Sequence, residues 1–156
     1  MSVAPSSPHP IRRVDPDDPD AAALMSAYFE ELRARLGGFD RPSAEQLRSD
    51  AATGVVLVAH DTATAVACGS LRLLDAETAE IKRMFVTQGA RGRGHARTML
   101  RALEGEARAR GCARIVLDTA APLAEAASLY LAEGYREVAA YNDNPFAARW
   151  FEKRLR

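Results

Sequence analysis

No part of this chain is apolar for the ~18–20 residues a membrane-crossing helix needs. The N-terminus also lacks the apolar core of a signal peptide. Together these point to a cytoplasmic protein with no membrane partner. Cysteine is scarce, with only Cys68 and Cys112, far apart and in no C-x-x-C pair. His9, His60 and His95 do not cluster with them, which argues against a zinc site or any other metal. Two such thiols, read as half-buried, fit a reducing compartment. There is no charge surplus either: Lys+Arg and Asp+Glu are each 21. Zero net charge removes any bulk electrostatic reason to expect nucleic acid or an anionic membrane as partner.

What is present reads as one domain over residues 11–156 behind a Pro/Ser-rich tail, residues 1–10, expected to be disordered. A short strand is expected at 11–14. The acidic, proline-bearing segment 15–20 suits a helix N-terminus. Leu24, Tyr28, Leu32 and Leu36 recur every four residues, predicting a helix over 21–36 that Gly37-Gly38 ends. Ser43 with Gln46 three residues on marks a second helix to about 51. Strands are expected at 55–60, 65–74 and 78–86, joined by links too short for a crossover, hence antiparallel. A helix at 95–110, a buried strand at 113–118, a helix at 122–133 and strands at 135–140 and 147–155 follow. On the first of these helices Ala96, Met99, Leu100, Leu103 and Ala107 form the apolar face, while Arg97, Arg101, Glu104 and Arg108 are assigned to water. Helix–strand–helix after a meander implies a parallel crossover. The fold class is α/β: a mixed, strongly twisted sheet of six to seven strands with helices on both sides.

The strongest chemical signal is the segment 87–94, Thr-Gln-Gly-Ala-Arg-Gly-Arg-Gly, which runs straight into a helix. Glycines let the backbone approach a ligand closely, and a helix N-terminus favours anions. Arg91 and Arg93 add charge suited to phosphate. The loop is not a Walker A motif, because no Lys-Ser/Thr follows Gly94. Nor is it the dinucleotide fingerprint, because position 97 is Arg. A turn that merely joins strand to helix remains the alternative.

Residues 91–96, Arg-Gly-Arg-Gly-His-Ala, resemble the R/Q-x-x-G-x-G/A signature of the GNAT (GCN5-related) N-acetyltransferases. Residues 79–86 resemble that family's fourth strand, and 126–135, Ala-Ala-Ser-Leu-Tyr-Leu-Ala-Glu-Gly-Tyr, resemble its second signature. The resemblance implies acetyl-CoA as cofactor. The loop N–H groups of Arg91, Gly92, Arg93, Gly94, His95 and Ala96 would hold its pyrophosphate, and the backbone of Phe85 and Val86 would pair with the pantetheine arm. One departure is Leu123, where many members carry an Asn that contacts the cofactor.

The implied reaction is transfer of an acetyl group to the primary amine of a small-molecule acceptor by direct attack in a ternary complex. Glu80 is the candidate base, since a carboxylate in a central strand must line a cleft or pair with a cation. An ion pair with Lys82, Arg83 or Arg72 is the competing role. Tyr130 is the candidate acid, by resemblance aimed at the CoA sulfur. Arg72, Arg83 and Tyr28 are candidates for the acceptor, the arginines for a carboxylate on it. A homodimer fits this kind of fold. The alternative from another class is a catalytically silent acyl-CoA-binding regulatory module, which would keep the loop but need neither Glu80 nor Tyr130.

Overall fold

The computed structural model describes residues 10–120 and 124–156. Most of the N-terminal tail, the first residues of the 122–133 helix and Leu123 therefore lie outside the described residues. The chain runs β1 (Ile11–Val14), α1 (Pro19–Leu36), α2 (Ala44–Ala51), β2 (Val55–Asp61), β3 (Thr64–Leu73) and β4 (Thr78–Val86). It continues with α3 (His95–Ala109), β5 (Arg114–Thr119), α4 (Ala124–Ala132), β6 (Arg136–Val138) and β7 (Arg149–Arg154). The seven strands form one mixed sheet in the order β1-β2-β3-β4-β5-β7-β6. Only β4 and β5 pair in parallel. The expected architecture of a mixed sheet with helices on both faces is present.

Local chemistry sets the helix starts. Asp18 caps α1 by accepting from the backbone N–H groups of Asp20 and Ala21, with Pro19 in the first turn. The helix thus begins earlier than its apolar periodicity indicates. Ser43 caps α2 by accepting from Gln46 N at 3.1 Å, as its spacing predicted.

The two faces of the sheet carry separate cores. α1 buries Leu24, Met25, Phe29 and Leu32 against Val56, Val58, Cys68 and Phe85. On the other face α3 buries Met99, Leu100 and Leu103 against Leu57, Leu71, Ile81 and Leu117. Gly69 lets α3 lie this close. A Cβ there would stand 2.8 Å from Leu103 Cδ1 and 3.2 Å from Met99 Cγ.

Two details differ from the sequence reading. Glu104, expected in water, is 3% exposed. Tyr135 donates to it at 2.8 Å and Lys153 lies at 3.1 Å, so partners from outside the helix make its burial tolerable. The cysteines are fully buried rather than half-buried, and both are free thiols. Burial pushes the Cys68 thiol up to about 12, which leaves it without the thiolate a nucleophile needs.

Two irregularities position the site. The β4–β5 pairing covers only Thr78–Arg114, Ala79–Ile115 and Glu80–Val116. Beyond Glu80 the two strands part, and residues 82–86 have no strand partner on that side among the described residues. On its other side β4 bulges against β3: Ser70 faces Lys82 and Cys68 faces Phe85, so Arg83 and Met84 together oppose Gly69. Arg83 takes a left-handed φ of 56° to make the bulge.

Candidate active site

Two cavities open where β4 and β5 part. The first, of about 530 Å³, lies against the loop before α3. It is lined by Phe85, Val86, Arg91, Gly92, Gly94, His95 and Ala96, and on its far wall by Leu129 and Tyr130 of α4. Gly92 and Gly94 hold φ at 82° and 85°, the left-handed region that costs other residues ~1–2 kcal/mol. That conformation turns the loop into the first turn of α3. Unlike α1 and α2, α3 has no side-chain cap at its N-terminus. Its first N–H groups are the ones a helix leaves without internal partners, and Gly94, His95 and Ala96 of that turn line the cavity.

The arginines of the loop are placed less simply. Arg91 donates from Nε to the Val86 carbonyl at 3.1 Å and from Nη2 to both oxygens of Glu31 at 2.7 and 2.8 Å. Its charge is therefore answered by α1. Arg93 turns outward to Asp61 at 3.2 Å and does not line the cavity. What the loop offers an anion is backbone and helix dipole more than guanidinium groups. The residues fit a diphosphate at the loop and an extended arm along the unpaired edge of β4.

The second cavity, of about 540 Å³, lies beneath α1 and the segment leading into α2. Phe29, Leu32, Phe39 and Phe146 give it apolar walls; Glu80, Lys82, Arg83 and Asp118 give it charge. Tyr28, Met84, Ala126 and Tyr130 line both cavities, so they form the junction. Among the described residues no side chain hydrogen-bonds the Tyr130 hydroxyl. The ring packs on Tyr135 and Phe151. Burial, then the nearby Tyr28 and Asp118, pushes the Tyr130 hydroxyl well above the ordinary tyrosine range. Burial pushes Tyr28 up to about 12, against an opposing pull from Arg83.

Glu80 is 1% exposed and faces the second cavity. Its Oε1 accepts from Arg72 Nε at 2.7 Å and lies 3.7 Å from Lys82 Nζ, while Oε2 accepts from the Tyr141 hydroxyl at 2.6 Å. A carboxylate has about four lone-pair positions, so these bonds leave room for another proton donor. Arg72 does not line the cavity and bridges Glu80 to Asp50. Arg83 lines it, but its guanidinium is held by Asp50 at 2.8 Å. Among the described residues no group of three His, Cys, Asp or Glu side chains could hold a metal ion.

Sequence reasoning missed Asp118. It is the half-buried carboxylate at the open end of β5, where a charge ends an otherwise buried apolar strand. Asn142 donates to one oxygen at 2.7 Å and Asn144 to the other at 3.3 Å.

Residues 20–135 match the acetyltransferase (GNAT) family. The chain belongs to the GNAT acetyltransferase family. GNAT members are acyltransferases whose cosubstrate is acetyl-CoA. The chain is 37% identical over 82 residues to an "IAA acetyltransferase" of Azospirillum brasilense, a match covering 52% of this chain and 54% of that protein. It therefore spans about half the length of that curated relative. A Klebsiella pneumoniae structure, described there as a proposed acyl-CoA N-acyltransferase, superimposes with a TM-score of 0.75 at 28% identity, covering 94% of this chain and 97% of that one. A GNAT acetyltransferase from Elizabethkingia anophelis, solved with acetyl-CoA bound, shares the fold. Its TM-score is 0.71 at 18% identity, over 94% and 97% of the two chains. Among the described residues no helix of this GNAT protein is long and apolar enough to cross a membrane.

Proposed function

We propose that this chain is an N-acetyltransferase that moves the acetyl group of acetyl-CoA to the primary amine of a small molecule in a ternary complex. The observation that carries it is the pair of cavities meeting at Tyr130, one at a helix start without a side-chain cap, the other lined by carboxylates. Two reactants can then meet without a covalent enzyme intermediate.

When bound, acetyl-CoA supplies an acetyl thioester, whose thiolate is a fair leaving group. Residues 91–96 would hold its diphosphate through backbone N–H groups. Phe85 and Val86 would take its arm along the unpaired edge of β4. Tyr130 keeps a proton on its hydroxyl and can give it to a departing thiolate. The neutral amine that attacks sheds a second proton as its new bond forms, and that proton restores Tyr130. Glu80 takes the first proton, the one that distinguishes ammonium from amine, and passes it to solvent. The name of the Azospirillum relative supports acetyl transfer and leaves the acceptor's identity to experiment.

The test has two stages. Excess acetyl-CoA, at ~100 times Kd, should add about 2.7 kcal/mol and raise Tm by several degrees, whereas ATP and NAD should not. Thiol release should then be followed with matched panels of primary amines and alcohols. Turnover with amines, slowed ~100-fold or more in Tyr130→Phe, is expected. Turnover confined to alcohols, or full activity in Tyr130→Phe, would overturn the assignment.

A further inference from the structure

The second cavity is charged unevenly. Glu80 is answered by Arg72, and Arg83 by Asp50. Asp118 is different: among the described residues no cation lies in salt-bridge range of it, and it is held by neutral amides only. Those amides are themselves fixed. Trp150 Nε1 donates to Asn142 Oδ1 at 2.9 Å, and the Asn144 backbone N–H donates to the same oxygen at 3.2 Å. Asn142 must therefore present its NH₂ group to Asp118. Asp118 is thus a half-buried carboxylate without a counter-charge among the described residues, at the wall of the cavity. The cavity that Asp118 lines also has aromatic walls, from Phe29, Phe39 and Phe146.

The rest of the cavity is apolar at its outer end. Phe39 and Phe146 meet edge-on across the mouth at 5.3 Å, and Phe146 stays 39% exposed. Arg41 lies 5.2 Å over the Phe29 ring and is paired with a hydroxyl, not a carboxylate. Asp40 lines the same end of the cavity beside it, so that end carries charge of both signs.

We infer that Asp118 anchors the ammonium group of the acceptor, and that the acceptor is an amine on a flat apolar body lying along Phe29, Phe39 and Phe146. This rests on the acetyltransferase reading of the same site. An ammonium has three N–H donors. Asp118 and Glu80 line the cavity with carboxylate oxygens, and Glu80 is placed to take the proton once the group is docked. A flexible polyamine has no flat apolar body to cover those rings. A carboxylate in place of the ammonium would face Asp118.

The test is titration calorimetry on the full chain saturated with CoA, using 2-phenylethylamine, 3-phenylpropionate and spermidine as probes. The amine should bind, the carboxylate should not, and spermidine should bind at least tenfold more weakly. Asp118→Asn should weaken 2-phenylethylamine about tenfold or more, with a smaller loss in Glu80→Gln. Equal binding of the carboxylate and the amine by the unaltered protein would overturn the inference without any variant. So would tighter binding of spermidine, an unchanged affinity in a folded Asp118→Asn, or CoA binding with none of the three probes bound. Failure of CoA itself to bind would instead overturn the acetyltransferase reading beneath it.

Discussion

Raising the pH should unfold this protein over a narrow range, because its fold shelters every tyrosine from ionisation. The chain has four tyrosines: Tyr28, Tyr130, Tyr135 and Tyr141. All four are pushed above the ordinary value, with burial the largest cause in each. Hydrogen bonds to Glu104 and Glu80 add to this for Tyr135 and Tyr141. Burial also pushes the Cys68 thiol up to about 12. A pKa raised on folding contributes stability that is complete below the unfolded value and is lost as pH climbs toward the folded one. The window thus opens at the unfolded values, 9.0 for the thiol and 10.0 for tyrosine, and extends to about 12 for Cys68 and Tyr28. Near pH ~11 the thiol accounts for a loss of about 3 kcal/mol and each tyrosine for about 1 kcal/mol. The combined loss, on the order of 7 kcal/mol, is comparable to the ~5–15 kcal/mol that holds a domain together. Tyrosinate absorbance and far-ultraviolet circular dichroism, recorded along one alkaline titration, should change together in a single steep step. Tyrosinate rising smoothly around pH ~10 while the helical signal persists would refute the reasoning.

Gly94→Ala should cost ~1–2 kcal/mol of stability, since the loop needs a left-handed backbone there. The same change should weaken acetyl-CoA tenfold or more, read as a smaller thermal shift by the cofactor. Gly69→Val should destabilise by ~1–3 kcal/mol in urea unfolding, because its side chain would press on Leu103 and Met99. An unchanged urea midpoint would mean that α3 does not lie as close to β3 as described.

The parts of the protein that sequence reveals are those whose physics is local. The bounds of β4 follow from its own residues, and Ser43 with Gln46 marks a cap within four positions. The loop at residues 91–96 carries both its glycines and the helix they start. What stays hidden depends on partners far along the chain. Glu104 has the spacing of a surface residue, and only Tyr135 and Lys153, reaching across from other elements, make it a core residue. Arg83 suggests a substrate contact until Asp50 of α2 closes on it. Asp118 stands out only when β4 and β5 part, and a short parallel ladder leaves no trace in composition.

The bulge at Arg83 works as a change of phase. Before it, Ala79 and Ile81 face α3; after it, Phe85 faces α1, so odd-numbered positions have exchanged sides. One inserted residue rewrites the alternation for everything downstream. A single short strand can thereby aim Glu80 and Lys82 at one reactant and, a few residues later, offer a free edge to the other. Deleting one residue here would scramble both addresses at once, although neither Glu80 nor Tyr130 would have been touched.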